Sequence, residues 1–174
     1  MSHLPKFEGL IVTMKKIIRS VLLSASMLVS PVMHADAPVQ GTMEAFVVVS
    51  QKGKEVLQAA DNVEPDQLVE YHLTYVNKSI QGIDGLTVTG PVPDGTSYVT
   101  DTAVADVSAS LMVSIDGGVT FEQEPVIREV VKDNGEVAEQ VIPVDQYTHI
   151  QWQAHSELAG KGGTQLYRYR VRVK

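Results

Sequence analysis

Arg168, Arg170, Arg172 and Lys174 stand on alternate residues of the run Leu166-Tyr167-Arg168-Tyr169-Arg170-Val171-Arg172-Val173-Lys174. Alternate side chains of an extended strand share a face, so four cations line one side and Tyr167, Tyr169, Val171 and Val173 the other. Such a row can hold an anionic partner, whether polysaccharide, lipid headgroup or acidic protein, through charge-assisted hydrogen bonds. It can equally pair with carboxylates on neighbouring strands, Glu70 among them, or charge a sheet edge against self-pairing.

Other polar groups suggest less chemistry. His149 and His155 fall on one face of an alternating run but are separated by about 20 Å, too far to share a metal ion. His72 reaches either only by cross-strand pairing, and no Cys or clustered carboxylate completes a site, so all three read as strand histidines. Asp61, Glu64, Asp66, Asp84 and Asp94 fall in loops that one end of a two-sheet domain could gather around Ca²⁺, although no contiguous Asp-x-Asp-x-Asp-Gly ladder appears. Ser114-x-Asp116-Gly117-Gly118-x-Thr120-Phe121 fits the Asp-box pattern. There the aspartate accepts backbone N–H groups at a tight hairpin while Ser and Thr brace it, a structural role.

Covalent chemistry has no visible carrier. There is no Gly-x-Ser-x-Gly elbow, phosphate-binding glycine loop or His-Glu-x-x-His pair. Cysteine is absent, which removes disulfides, thiolate catalysis and Cys-based zinc sites. Asn77-Lys78-Ser79 matches a glycosylation sequon. Lys54 and Asn77, the conceivable pair for an internal crosslink, sit at strand ends rather than facing each other in a core. The expectation is a non-enzyme without a cofactor.

The elements that position these residues are strands. From Val69 to Tyr75 the chain alternates, Val69, Tyr71, Leu73 and Tyr75 against Glu70, His72 and Thr74, which marks a central strand with one buried face. Trp152 and the C-terminal strand are expected to pack against it. Met43–Val49 is a first strand, turned at Gln51-Lys52-Gly53-Lys54 into a short piece from Glu55 to Ala60. Leu86–Thr89 is stopped by Gly90-Pro91-Val92-Pro93-Asp94-Gly95, and Ser97–Thr100 resumes extended structure. Ser108–Ile115 alternates, and Asp116-Gly117-Gly118 turns it into Val119-Thr120-Phe121 as a hairpin. Val126–Lys132 and Val137–Ile142 flank Asp133-Asn134-Gly135 as a second hairpin. In His149–His155 the inward residues are Ile150, Trp152 and Ala154. Turns at this spacing, without a competing helical period, predict an all-β, antiparallel sandwich of immunoglobulin type.

Ahead of this lies an address. Met14-Lys15-Lys16-Ile17-Ile18-Arg19 is a basic start, Ser20–Met33 an uncharged apolar run, and Ala35-Asp36-Ala37 a small-x-small cleavage site, the anatomy of a secretory signal peptide. The apolar run falls short of the roughly 20 residues that span a bilayer. Residues 1–37 are thus read as a removable leader whose true start is Met14, and 38–174 as one domain in the periplasm or medium. The whole chain carries net charge −7. Loss of Lys6, Lys15, Lys16, Arg19, Glu8 and Asp36 leaves ten basic and nineteen acidic groups, net −9. That balance disfavours nonspecific binding to nucleic acid or anionic membrane.

Four stretches in order carry a resemblance. They are Val63-Glu64-Pro65-Asp66 leading to Tyr71–Asn77, then Leu86–Val99 with its proline turn and glycine-threonine restart, then Ser114–Phe121, and finally Thr148–Trp152 with a Gly-rich loop and a strand ending Val171-Arg172-Val173. Together the chain from about Met43 onward resembles the domain-of-unknown-function-eleven family, the "conserved repeat" domain of bacterial surface proteins. Two features depart from it: Pro65 and Asp66 are adjacent where the family usually places a glycine between them, and this is a single copy where tandem copies are common. The resemblance implies an immunoglobulin-like domain outside the cytoplasm and carries over no catalytic residue. The expected function is an exported, non-enzymatic structural or interaction module of the cell envelope, with an envelope protein or polysaccharide as partner. The alternative is a carbohydrate-binding or accessory domain for an envelope enzyme, for which Tyr98 and Tyr147, near turns, are the available platforms.

Overall fold

The computed structural model describes residues 37–174, so the leader, apart from Ala37, lies outside the described residues. The described chain is all-β, with eleven strands and one turn of 3₁₀-helix at Val144–Gln146. The strands are β1 Val39–Gln51, β2 Lys54–Ala59, β3 Leu68–Asn77, β4 Thr87–Pro91, β5 Thr96–Tyr98 and β6 Val104–Ala105. They continue as β7 Ala109–Ser114, β8 Ile127–Val131, β9 Val137–Val141, β10 His149–Ala154 and β11 Thr164–Val173. Every pairing is antiparallel.

One sheet runs β2-β1-β3-β11-β5, with β6 also on β11; a second runs β4-β10-β7; β8 and β9 pair only with each other. Thus β11, expected to pack against β3, does so as its hydrogen-bonded neighbour within one sheet. Trp152 supplies the stacking. From β10 it lies tilted against Tyr167 and Tyr169 of β11, with ring centroids 5.5 and 5.9 Å apart. Tyr169 also stacks on Tyr71, its partner across the β3–β11 ladder, at 5.2 Å. Aromatic pairs at such separations add to the area they bury, and these join the two sheets. Val69, Leu73, Val88, Val113, Ile150 and Val171 fill the core around them.

Period two decides which residues enter. Tyr167, Tyr169 and Val171 are buried while Arg168 and Arg172 are exposed. Ile150, Trp152 and Ala154 are buried as expected. β4 continues through Gly90 and Pro91, two residues past the stop expected from the sequence. It is an edge strand, where a missing N–H costs no ladder bond.

The return strand expected at Val119-Thr120-Phe121 is absent; one bridge, Val113 to Glu122, is all that pairs β7 there. Side chains take the amides such a strand would use. Asp116 Oδ1 accepts from Val119 N (3.1 Å) and Thr120 N (2.9 Å), and Ser114 Oγ accepts from Gly118 N (2.9 Å).

Candidate functional site

The basic row lies on the outer face of the larger sheet, and its members do not act alike. Arg170 sits opposite Glu70 in the β3–β11 ladder. Its Nε donates to Glu70 Oε2 at 2.7 Å, and its Nη2 donates to Glu55 Oε2 of β2 at 2.8 Å. Glu70 also meets His72 Nε2 at 2.7 Å. Arg172 donates to the carbonyl of Asp66 at 2.9 Å. Among the described residues Arg168 and Lys174 form no ion pair.

Burial pushes the Glu70 carboxyl up, but bonds from His72 and Arg170 outweigh it and hold the group below its ordinary value. Arg170 is raised chiefly by its bond to Glu55, against a desolvation that lowers it. The row is therefore one neutralised arginine, Arg170, and three cations without an ion pair among the described residues, of which Arg172 is tied to a backbone carbonyl. Glu70, Asp101, Thr102, Val104, Arg168 and Arg170 line an open cavity of ≈ 300 Å³ on this face. Its charges nearly cancel, so it has no strong preference for an anion.

The remaining candidates do not converge. His155 bonds Ser110 Oγ at 2.8 Å, and His149 bonds its neighbour Thr148 Oγ1 at 3.2 Å. Among the described residues no three His, Asp or Glu side chains come close enough to hold a metal, the loop carboxylates considered for Ca²⁺ included. Tyr98 and Tyr147 are not platforms. They are 2% and 3% exposed and stack on each other at 6.2 Å within the core. Burial pushes the Tyr98 phenol up to about 12. The Val92–Tyr98 and Val144–Tyr147 segments converge there, so residues near turns in sequence lie under them in space. Asn77 is fully buried with its amide bonded to Gln81 O and Leu158 O, which leaves no acceptor for a glycan.

The Asp116 loop keeps its expected role as a brace. Thr120 Oγ1 donates to Asp116 Oδ2 at 2.6 Å and Ser114 Oγ to Oδ1 at 2.7 Å. These bonds, led by the Thr120 hydroxyl, hold the Asp116 carboxyl well below the usual carboxylate range. A carboxylate depressed in the folded state contributes stability that is whole above its ordinary value, about 3.9, and is lost as pH falls through the lower folded value. Wild type should thus lose denaturant resistance below about pH 4, and Asp116→Asn should show a shallower acid slope in urea midpoints. Parallel slopes for the two proteins would refute this role.

Sequence reading did not single out the β8–β9 ribbon as a surface. Ile127, Val131, Val137 and Val141 are 45%, 74%, 63% and 59% exposed. Their register, Ile127 opposite Val141 and Val131 opposite Val137, sets all four on one face. The pattern gave little sign of it, because Ile127-Arg128-Glu129-Val130-Val131 does not alternate: Ile127, Glu129 and Val131 share the exposed face while Arg128 and Val130 share the other.

Comparison of the chain with protein-family models, with curated proteins and with solved structures yields no match.

Proposed function

We propose that the chain is an exported, non-enzymatic module of a bacterial cell envelope that works by binding another macromolecule. The observation that carries this reading is the β8–β9 ribbon, which belongs to neither of the two main sheets and exposes four aliphatic side chains together. An exposed apolar face rimmed by polar residues marks an interaction surface more often than a scaffold need. The basic leader, apolar run and Ala35-Asp36-Ala37 support export. The two-sheet fold is nearer to a jelly roll than to the immunoglobulin type. β3 pairs with β11 and β4 with β10, a nested pattern of a double ribbon folded across the core. In the immunoglobulin order the last strand joins the sheet of its predecessor, whereas here β10 and β11 lie in different sheets.

Replacing residues 128–140 by a short Gly-Ser link tests the function. The expected result is unchanged melting of the two-sheet body and loss of retention in the envelope fraction, with mature protein beginning at Pro38 by mass. Full retention without the ribbon would sink the reading.

A further inference from the structure

On the reading of the chain as a binding module, we propose that the outer face of the β8–β9 ribbon docks a protein surface presenting a Lys or Arg between apolar side chains. The ladder places Glu129 directly opposite Glu139, between the pairs Ile127–Val141 and Val131–Val137. The face therefore reads apolar, doubly negative, apolar along its length. Directly opposed side chains have Cβ atoms about 5 Å apart, where like charges oppose pairing. Neither carboxylate takes part in an ion pair among the described residues. The ribbon thus carries two unneutralised charges set among four exposed aliphatic groups. A partner's ammonium or guanidinium would neutralise both carboxylates while its stem and neighbours cover the aliphatic groups.

The opposite face is less open. Arg128, which points that way, is bonded to Glu122, and Val130 and Ala138 beside it are half-buried. Ile142 N donates to Val126 O at 2.9 Å and fastens the ribbon's base. Charge also excludes the other occupants. A second copy docked face to face would bring four glutamates together, and an anionic lipid surface would meet the same two carboxylates. The net −9 of residues 38–174 steers basic partners in the same direction.

The test uses the mature chain and two synthetic disulfide-closed hairpin peptides. One presents Val-Lys-Val on one face of each strand; the control presents Val-Glu-Val. Wild type should bind the lysine peptide at least about tenfold tighter than the control, and the difference should shrink as salt rises to about 0.5 M. Glu129→Lys/Glu139→Lys should reverse the preference, and Val131→Ser/Val137→Ser should weaken the lysine peptide without moving the melting temperature. If the serine variant melts early, Glu129→Gln/Glu139→Gln serves in its place and should abolish the preference. Equal binding of both peptides, binding of neither, a ribbon-dependent dimer in sedimentation, or preferential capture by phosphatidylglycerol vesicles would each overturn the proposal. If the lysine peptide fails while ribbon replacement still releases the protein from the envelope, only the partner chemistry falls. If ribbon replacement leaves retention intact, the broader reading falls with it.

Discussion

Gly90→Val should destabilise the domain by about 3 kcal/mol and lower its melting temperature by on the order of 10 °C. A Cβ built on Gly90 would lie 2.6 Å from Cε1 and 3.1 Å from Cζ of Tyr169, closer than atoms pack. The ring has nowhere to go. Tyr169 is fully buried, stacked on Tyr71, tilted against Trp152, and its hydroxyl donates to the carbonyl of Pro91. A branched side chain at Gly90 must push the sheets apart or turn Tyr169 out of the stack that joins them. The requirement is for space, because Gly90 is not among the glycines with left-handed backbone. A double-mutant cycle separates this from a general intolerance of β4. Gly90→Ala should cost less in a Tyr169→Leu background than in wild type, by about 1 kcal/mol or more, since residues in contact couple. Equal costs in both backgrounds would mean that the close approach is not what selects glycine.

That contact also shows where sequence reading ends. The alternation through Leu166–Lys174 identified the buried face of β11, and that through Val69–Tyr75 placed Val69 and Leu73 of β3 in the core, because side-chain direction in a strand is fixed by the backbone. Glu70, read as outward, is buried as well. The lone tryptophan was likewise placed inward, and the Asp116 brace was legible because all its partners lie within six residues. Partnership between distant strands is a different matter. Nothing local tells Tyr169 that it will stack on Tyr71, or Gly90 that a ring will pass over it. The same gap explains Tyr98 and Tyr147, which look exposed beside their turns and instead meet in the core. It explains the basic row as well. Four like charges left two readings open, an anion site or pairing with neighbouring carboxylates such as Glu70, and the β3–β11 register, which sets Arg170 opposite Glu70, decides for pairing at that position. Conversely, the ribbon face was hidden because Ile127, Glu129 and Val131 mix apolar and charged groups on one side, and no residue within the strand encodes whether a layer will cover it.

Asn77→Asp should cost about 3–5 kcal/mol, a large share of the stability of a domain this size, although it changes the side chain by one group. Asn77 closes β3 and joins two loops. Its Nδ2 donates to Gln81 O at 2.8 Å and to Leu158 O at 3.0 Å, while Oδ1 accepts from Ser79 N at 2.9 Å and Ser79 Oγ at 2.7 Å. Its backbone is engaged with Gly163 and Gly162 in turn. An aspartate keeps the acceptor side and loses both donors, so a carboxylate oxygen would face two carbonyl oxygens in a site closed to water. Burial and those carbonyls both disfavour the charged form, so the new carboxyl should titrate above its ordinary value in the folded protein. The linkage sign follows. The penalty is full above that raised value and is partly relieved as pH falls through it, because the protonated acid regains one donor. The deficit of the variant relative to wild type should therefore narrow on acidification from about pH 7 to pH 5, a range in which wild type itself changes little. Asn77→Ala, with no titrating group, should show a comparable deficit that is flat with pH. Urea midpoints across that range decide the matter: a deficit that widens toward acid, or an Asp variant as stable as wild type, would mean that this amide is not the joint between the two loops.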